Sequence, residues 1–286
     1  MGPQTCVLCG HALGDALLVH AIPDRFERAV GIAEAGYRRV WRGCPHCGTA
    51  TNIHDPAHAK AIKAVGAAYY DIDFAGGDLA GKYAKVMALP PERSDNAGRV
   101  ERVLAALRRW VLPVEPVKAV DIGAGLGVFL ARLSARADFA LSAVAIKPDP
   151  TAAAHLRGLG GFAVEQGLFS GEDRHRDANL VTLNKVLEHV AQPVELLRAV
   201  ARVLDPARGL AYVEVPDVAT IGNRPPDDNI LGALHVHLYS PTGLALALTR
   251  AGLEPLEIGR VVEPSGKITV FAFAALRPLV DRHAMR

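Results

Sequence analysis

Two Cys-x-x-Cys-Gly turns stand near the amino terminus of this 286-residue chain, Cys6-Val-Leu-Cys9-Gly10 and Cys44-Pro-His-Cys47-Gly48, and they contain its four cysteines. Each turn aims two thiolates at one point, and two turns supply the four sulfurs of a closed tetrahedral site. Two disulfides or a redox pair are the competing chemistries. Disulfides suit secreted proteins, and a thioredoxin-like motif needs one pair set in a βαβ unit. The doubled spacing favours a structural Zn2+ on Cys6, Cys9, Cys44 and Cys47, with His11 and His46 nearby as spare ligands. A closed site of this kind holds structure and does no chemistry.

A second set of residues lies at 119–130, Ala-Val-Asp-Ile-Gly-Ala-Gly-Leu-Gly-Val-Phe-Leu. An apolar strand runs into Asp121 and then meets Gly123, Gly125 and Gly127. Glycines so spaced let the backbone turn tightly after a strand and come close to a ligand. The dinucleotide fingerprint Gly-x-Gly-x-x-Gly would need glycine at position 128, where the chain has Val128. The loop therefore points away from NAD and toward S-adenosylmethionine.

These residues must be positioned by a sizeable core. Half of the chain is hydrophobic and 22% is charged, with a net charge of +2, so nothing in its charge argues for nucleic acid. The short basic clusters Arg38-Arg39 with Arg42, and Arg174 with Arg176, read as solvated surface. No run of about 20 apolar residues is present to span a membrane. The start of the sequence lacks a basic region followed by an apolar one, so a cytoplasmic location is expected.

From residue 117 onward strands and helices alternate. Strands are expected near 117–121, 140–146, 162–165, 179–184, 209–215, 255–261 and 268–275, and helices near 127–136, 150–159, 192–203 and 241–252. The last two strands read as a hairpin around Pro264-Ser265-Gly266. Before this region, Ser94-Asp95-Asn96 is an N-cap cluster for a helix with Val100, Val103, Leu104 and Leu107 on one face. Residues 57–68 look helical, and alternation around Tyr37, Val40 and Trp41 suits a short hairpin. The division expected is a zinc-binding module at 1–55, a helical connecting segment at 56–114 and an α/β core at 115–286. Tyr69, Tyr70 and Phe74 could fold over a ligand or belong to the core.

With these segments placed, the chain resembles the class I S-adenosylmethionine-dependent methyltransferases. The likeness is carried by Val120 to Gly127, by Val186-Leu187-Glu188-His189-Val190 with Pro193, and by Val203-Leu204-Asp205-Pro206 with Gly209. It continues through Glu214-Val215-Pro216-Asp217, His235 to Ser240, and Ala251-Gly252-Leu253-Glu254. The resemblance implies a doubly wound, seven-stranded Rossmann-like methyltransferase sheet preceded by the small four-cysteine zinc-ribbon module. A cysteine module ahead of such a core is similar to the sugar C-methyltransferases. Where their loop reads Tyr-His-Glu-His, this chain has Leu234-His235-Val236-His237.

The resemblance implies that Asp121, Gly123, Gly125 and Gly127 shape the pocket for the methionine end of the cofactor. It also implies that Asn184, Glu188 and His189 line the cofactor and acceptor cleft, although Glu188 and His189 could instead pin the start of a helix. Lys147 stands where an acidic residue normally accepts both ribose hydroxyls, and an ammonium only donates. That departure could weaken cofactor binding, shift the role to Asp149, or signal another ligand. Methyl transfer to a hydroxyl or an acidic carbon needs the acceptor proton removed, a task suited to histidine. His235 and His237 alternate on an extended segment and so face opposite sides. His237 is favoured as the base by match to the family's loop, His235 stands close behind, and hydrogen-bonded loop histidines are the alternative. Tyr239 could orient an acceptor. The polar stretch 222–233 ahead of these histidines reads as a lid or an acceptor contact. Methyl transfer to a small-molecule acceptor, a nucleotide-linked sugar or glycan precursor, is thus expected. The alternatives are a degenerate fold serving as a binding or scaffold protein, and an RNA methyltransferase.

Overall fold

The structure, a computed structural model, describes residues 4–58, 60–62 and 78–279. Tyr69, Tyr70 and Phe74, and most of the helix expected at 57–68, lie outside the described residues. The amino-terminal region contains strand β1 (Ala16–His20), helix α1 (Arg25–Ala29), and strands β2 (Arg39–Gly43) and β3 (Ala50–Ile53). Two helices follow, α2 (Leu79–Met87) and α3 (Asp95–Ala106). Ser94 caps α3 by accepting from the Ala97 N–H, and the helix buries Val100, Val103 and Leu104 along one face, as its apolar spacing requires.

The core then runs β4 (Val117–Ile122), α4 (Val128–Arg136), β5 (Leu141–Lys147), α5 (Pro150–Leu159) and β6 (Ala163–Gln166). It continues with β7 (Leu180–Asn184), α6 (Pro193–Val203), β8 (Leu210–Pro216) and the short α7 (Thr220–Asn223). Last come β9 (His237–Leu238), α8 (Pro241–Arg250), β10 (Glu254–Val262) and β11 (Ile268–Ala275). Seven strands form one sheet in the order β10-β11-β8-β7-β4-β5-β6. Five of them are parallel, while β11 pairs antiparallel with both β8 and β10. The central strands β7 and β8 are buried almost throughout and are mostly apolar, with Thr182 and Glu214 the buried polar residues among them. Strand order reverses beside β4, so the carboxyl ends of β4 and β7 open onto the crevice where such sheets bind ligands.

A smaller sheet has the order β1-β2-β3-β9, and its last strand comes from the core. Ala50 pairs with Leu238 and Thr51 with His237. The amino-terminal region is thereby stitched to the loop that carries the histidines. Arg39, read from sequence as solvated, is only 1% exposed. It donates to the Tyr37 hydroxyl at 2.9 Å and to the Leu231 carbonyl at 2.7 Å, with the Glu27 carboxylate 3.5 Å away. A buried guanidinium needs such a full set of acceptors. Arg174 and Arg176 do lie at the surface, paired with nearby acids.

The stretch 222–233, expected as a lid or an acceptor contact, is anchored to the rest of the chain. Ile230 and Leu231 are buried, and the amino-terminal region pins the segment. Trp41 Nε1 and Arg39 donate to the Leu231 carbonyl, Asn52 Nδ2 to the Gly232 and His235 carbonyls, and the Ala233 N–H donates to Asp24. Its polar residues hid two apolar anchors.

Candidate functional site

The turn after β4 uses its three glycines for two different purposes. All three have positive φ, at 71°, 55° and 82° for Gly123, Gly125 and Gly127. A Cβ on Gly123 would stand 2.6 Å from Val186, and one on Gly127 would stand 2.8 Å from Leu156 and Leu159. Those two positions are glycine because neighbouring side chains are packed against the backbone. Among the described residues a Cβ on Gly125 would meet nothing within 4 Å, so no described side chain is packed against the backbone there. Asp121, 1% exposed, sits beneath the loop and accepts from Thr182 Oγ1 at 2.6 Å and Asn184 Nδ2 at 3.0 Å. Burial raises its pKa to about 6, against the opposing effect of those two bonds. Asn184 Oδ1 is buried without a hydrogen-bond partner among the described residues, an acceptor that a ligand amine would satisfy. Open backbone, a buried carboxylate and a free amide oxygen fit the ammonium and carboxylate of a methionine moiety.

Lys147 ends β5 on the neighbouring strand, half-buried. Burial lowers its pKa to about 8, while the nearby Asp149 and Asp121 pull it back up. Asp149 caps α5, accepting from the Ala152 N–H through Oδ1 at 2.7 Å.

Next to this crevice lies a charged group that sequence reading missed as a unit. Glu214 of β8 is fully buried and receives two hydrogen bonds from Arg99 of α3, one from Arg102 at 3.3 Å and one from the Tyr212 hydroxyl at 2.7 Å. Lys185 Nζ lies 3.4 Å from it and donates to Thr269 at 2.6 Å. Burial alone would raise the Glu214 pKa, but the surrounding cations hold it well below the usual carboxylate range. Lys185 itself takes a left-handed φ of 58°, a strained backbone directly after β7 that its buried contacts maintain. Arg99 and Glu214 are 115 residues apart, and no local pattern links them.

Beyond Lys185, the chain brings together three of the expected residues. Glu188, His189 and His235 each present a ligating atom within 4.8 Å of the other two. The two imidazoles lie 4.6 Å apart between ring centroids. Each Nδ1 faces a backbone carbonyl, Leu234 for His189 at 2.9 Å and Ile230 for His235 at 2.5 Å. A carbonyl only accepts, so both Nδ1 atoms carry the proton and both Nε2 lone pairs stay free. Glu188 is 1% exposed, and among the described residues neither carboxylate oxygen has a hydrogen-bond partner. Burial raises its pKa, with His189 and Lys185 opposing.

His237 does not join this group. It is 1% exposed in β9, with Nδ1 3.4 Å from Thr51 Oγ1, and burial lowers its pKa to about 4. The alternation expected from sequence is present, and it directs His235 to the cluster and His237 to the seam between β9 and β3. Burial also lowers His235, to about 3. Tyr239 is fully buried and donates to the Leu187 carbonyl at 3.1 Å, so it braces the loop.

The four cysteines converge as their spacing requires. Sγ atoms of Cys6 and Cys47 are 3.6 Å apart, those of Cys9 and Cys44 are 3.4 Å apart, and all four lie within 4.8 Å. Disulfide sulfurs would stand about 2.0 Å apart, whereas four ligands around one tetrahedral ion about 2.3 Å away would be nearly 4 Å apart. The cluster is compatible with a tetrahedral metal site. Ser240, at the cap of α8, donates to the Cys47 carbonyl, and Cys6, Cys44 and Cys47 pack into the same apolar cluster as Tyr239 and Leu244.

A family model described as a methyltransferase domain matches residues 91–258. No curated protein matches the chain. Among solved structures, it is similar to a Burkholderia thailandensis 1,6-didemethyltoxoflavin-N1-methyltransferase with bound S-adenosylhomocysteine. That likeness has a TM-score of 0.53 at 17% identity over 82% of this chain and 94% of the other. It is also similar to the CMeT domain of the citrinin polyketide synthase, with a TM-score of 0.52 at 14% identity over 64% of this chain and 53% of the other. At those identities the structures speak for the fold, and the family match, spanning more than half of the chain, speaks for its membership. The chain belongs to the methyltransferase domain family.

Proposed function

We propose that this chain methylates a small-molecule acceptor, a nucleotide-linked sugar or glycan precursor, at the cluster of Glu188, His189 and His235. The observation that carries the reading is the pairing of an open Gly125 backbone with that cluster on neighbouring strand ends. When bound, the cofactor supplies an electrophilic methyl group on a sulfonium. Gly123 to Gly127, Asp121 and Asn184 would hold its methionine end, and Lys147 would face its ribose. Removal of the acceptor proton falls to the cluster, where His235 is the loop histidine with a free Nε2 and His189 stands beside it. His237 keeps the loop in place. The 1,6-didemethyltoxoflavin bound to the similar N1-methyltransferase supports this class of substrate, and the cysteine module supports the sugar assignment by its likeness to sugar C-methyltransferases. Zn2+ on Cys6, Cys9, Cys44 and Cys47 is part of the same proposal, as a structural ion.

Calorimetric titration with S-adenosylmethionine and S-adenosylhomocysteine, beside Lys147→Glu, tests the reading. Micromolar binding by the natural chain, followed by methylation in a nucleotide-sugar screen, is the expected result. Lys147 also favours a second reading, a lapsed enzyme retained as a binding protein. Binding seen only with Lys147→Glu would support it, and no binding by either protein would overturn the cofactor assignment.

A further inference from the structure

We propose that Glu188, His189 and His235 form a binding site for one divalent first-row transition cation, distinct from the cysteine cluster. Three features of the group argue for a cation in place of a hydrogen-bonded triad. Its ligating atoms already converge within 4.8 Å, a spacing that one ion about 2.0–2.2 Å from each would span with little movement. Both histidines are held by Nδ1–H bonds to backbone carbonyls. That arrangement fixes the tautomer and ring direction of metal-binding imidazoles and leaves Nε2 to bind. Glu188 is a fully buried carboxylate with neither oxygen satisfied among the described residues. A buried polar group without a partner costs on the order of 1–3 kcal/mol, more if charged, and an ion held by it and the two imidazoles removes that cost.

Two lysines are felt at the group: Lys185 pairs with Glu214 and Thr269 while still acting on Glu188 and His235, and Lys267 acts on His235. The carboxylate of Glu188 must offset their charge for the ion. The loop bearing His235 is fixed from two sides. The Val236 N–H donates to the Glu188 carbonyl at 2.7 Å and the Asn52 N–H to the Val236 carbonyl at 2.9 Å. His189 is exposed, which gives the ion an entry path and leaves coordination positions facing outward. Two imidazoles and one carboxylate favour Mn2+, Fe2+, Co2+, Ni2+ or Zn2+ over Ca2+.

This inference rests on the proposed function for the location of the acceptor and specifies how its proton is lost. An acceptor oxygen on the ion would be acidified by it. With the ion in place the two imidazoles would serve as its ligands, so the deprotonating role of the free Nε2 of His235 would pass to the ion, and the proton would leave to solvent.

Mn2+ alone is the probe, because hard Mn2+ is a poor match for the cysteine thiolates. Electron paramagnetic resonance of free Mn2+, titrated against the purified full-length protein, counts the ions bound. One Mn2+ per chain is expected, with affinity reduced about tenfold or more in His189→Ala. That residue is exposed, so the variant keeps its fold. Glu188→Gln should show the same loss. Absence of binding up to millimolar Mn2+, or equal binding by the natural chain and both variants, overturns the site. Donor binding is measured calorimetrically on the same preparation. Donor binding without Mn2+ binding overturns the cation and leaves the methyltransferase reading standing. Mn2+ binding that depends on His189 and Glu188, without donor binding, upholds the cation site and overturns the reading of the cofactor pocket.

Discussion

Replacing Asp121 by asparagine should alter stability in a pH-dependent way whose size follows from the burial of this carboxyl. In the folded chain its pKa is about 6, against 3.8 for the free side chain. Between those values the native state holds a proton that the unfolded state has released, so stability falls as pH rises from about 4 to about 6. The gap of about 2.2 pH units corresponds to about 3 kcal/mol at neutrality, at 1.36 kcal/mol per unit. Asparagine keeps an Oδ1 that can accept from Thr182 and Asn184 but cannot ionise. Its added N–H imposes a constant cost of about 1–3 kcal/mol if it finds no acceptor. Urea denaturation of both proteins at a series of pH values separates the two effects. The stability of Asp121→Asn minus that of the natural chain should rise by about 2.4 kcal/mol from pH 4 to pH 7, whatever its starting value. A difference that is flat or falls with pH would refute the idea that the site keeps a costly carboxylate buried beneath the glycine loop. Donor affinity should fall in the same variant, because the cationic end of the ligand loses its counter-charge.

Three further outcomes are expected. Gly125→Ala should cost only about 1–2 kcal/mol, from its left-handed backbone, and should weaken donor binding in calorimetry. Gly123→Ala, whose Cβ would stand 2.6 Å from Val186, should cost more in denaturant while chiefly disturbing packing. Arg99→Met leaves Glu214 buried beside fewer cations and should lower stability by about 3–5 kcal/mol. A double replacement, Arg99→Met with Glu214→Leu, should recover part of that loss, and full additivity of the two changes would refute the coupling. Chelation of the ion assigned to the cysteines should lower the thermal midpoint and expose the thiols to a thiol reagent. An unchanged midpoint with free thiols would show that Cys6, Cys9, Cys44 and Cys47 are structural without metal.

The seven strands and the core helices were legible because buried parallel strands are mostly apolar runs, and because Asp149, Ser240 and Ser94 announce their helices locally. The convergence of the cysteines was legible for the same reason, since each turn fixes its own two thiols. What could not be read were pairings across the chain. Arg39 sits in a basic cluster that looks solvated, yet its partners Glu27 and Leu231 come from two separate stretches. The histidine loop showed that His235 and His237 face apart, but which of them faces the crevice depends on the pairing of β9 with β3. Residues 222–233 look like a lid from their polarity, while Ile230 and Leu231 anchor them.

The pairing of β3 with β9 also bears on how the chain reaches its native state. The amino-terminal sheet is synthesised early, but its last strand is 188 residues away at Leu238, opposite Ala50. Closing a loop of that length costs roughly 4–5 kcal/mol of chain entropy, and the contacts that repay it require most of the α/β core to be in place. On the ribosome, β1 to β3 would therefore emerge with an open edge at β3 and wait for the strands and helices between them and β9. During that wait the edge is available to another chain's strand. A gathered set of four thiolates, closing the early turns before translation ends, would keep the nascent segment compact until β9 arrives.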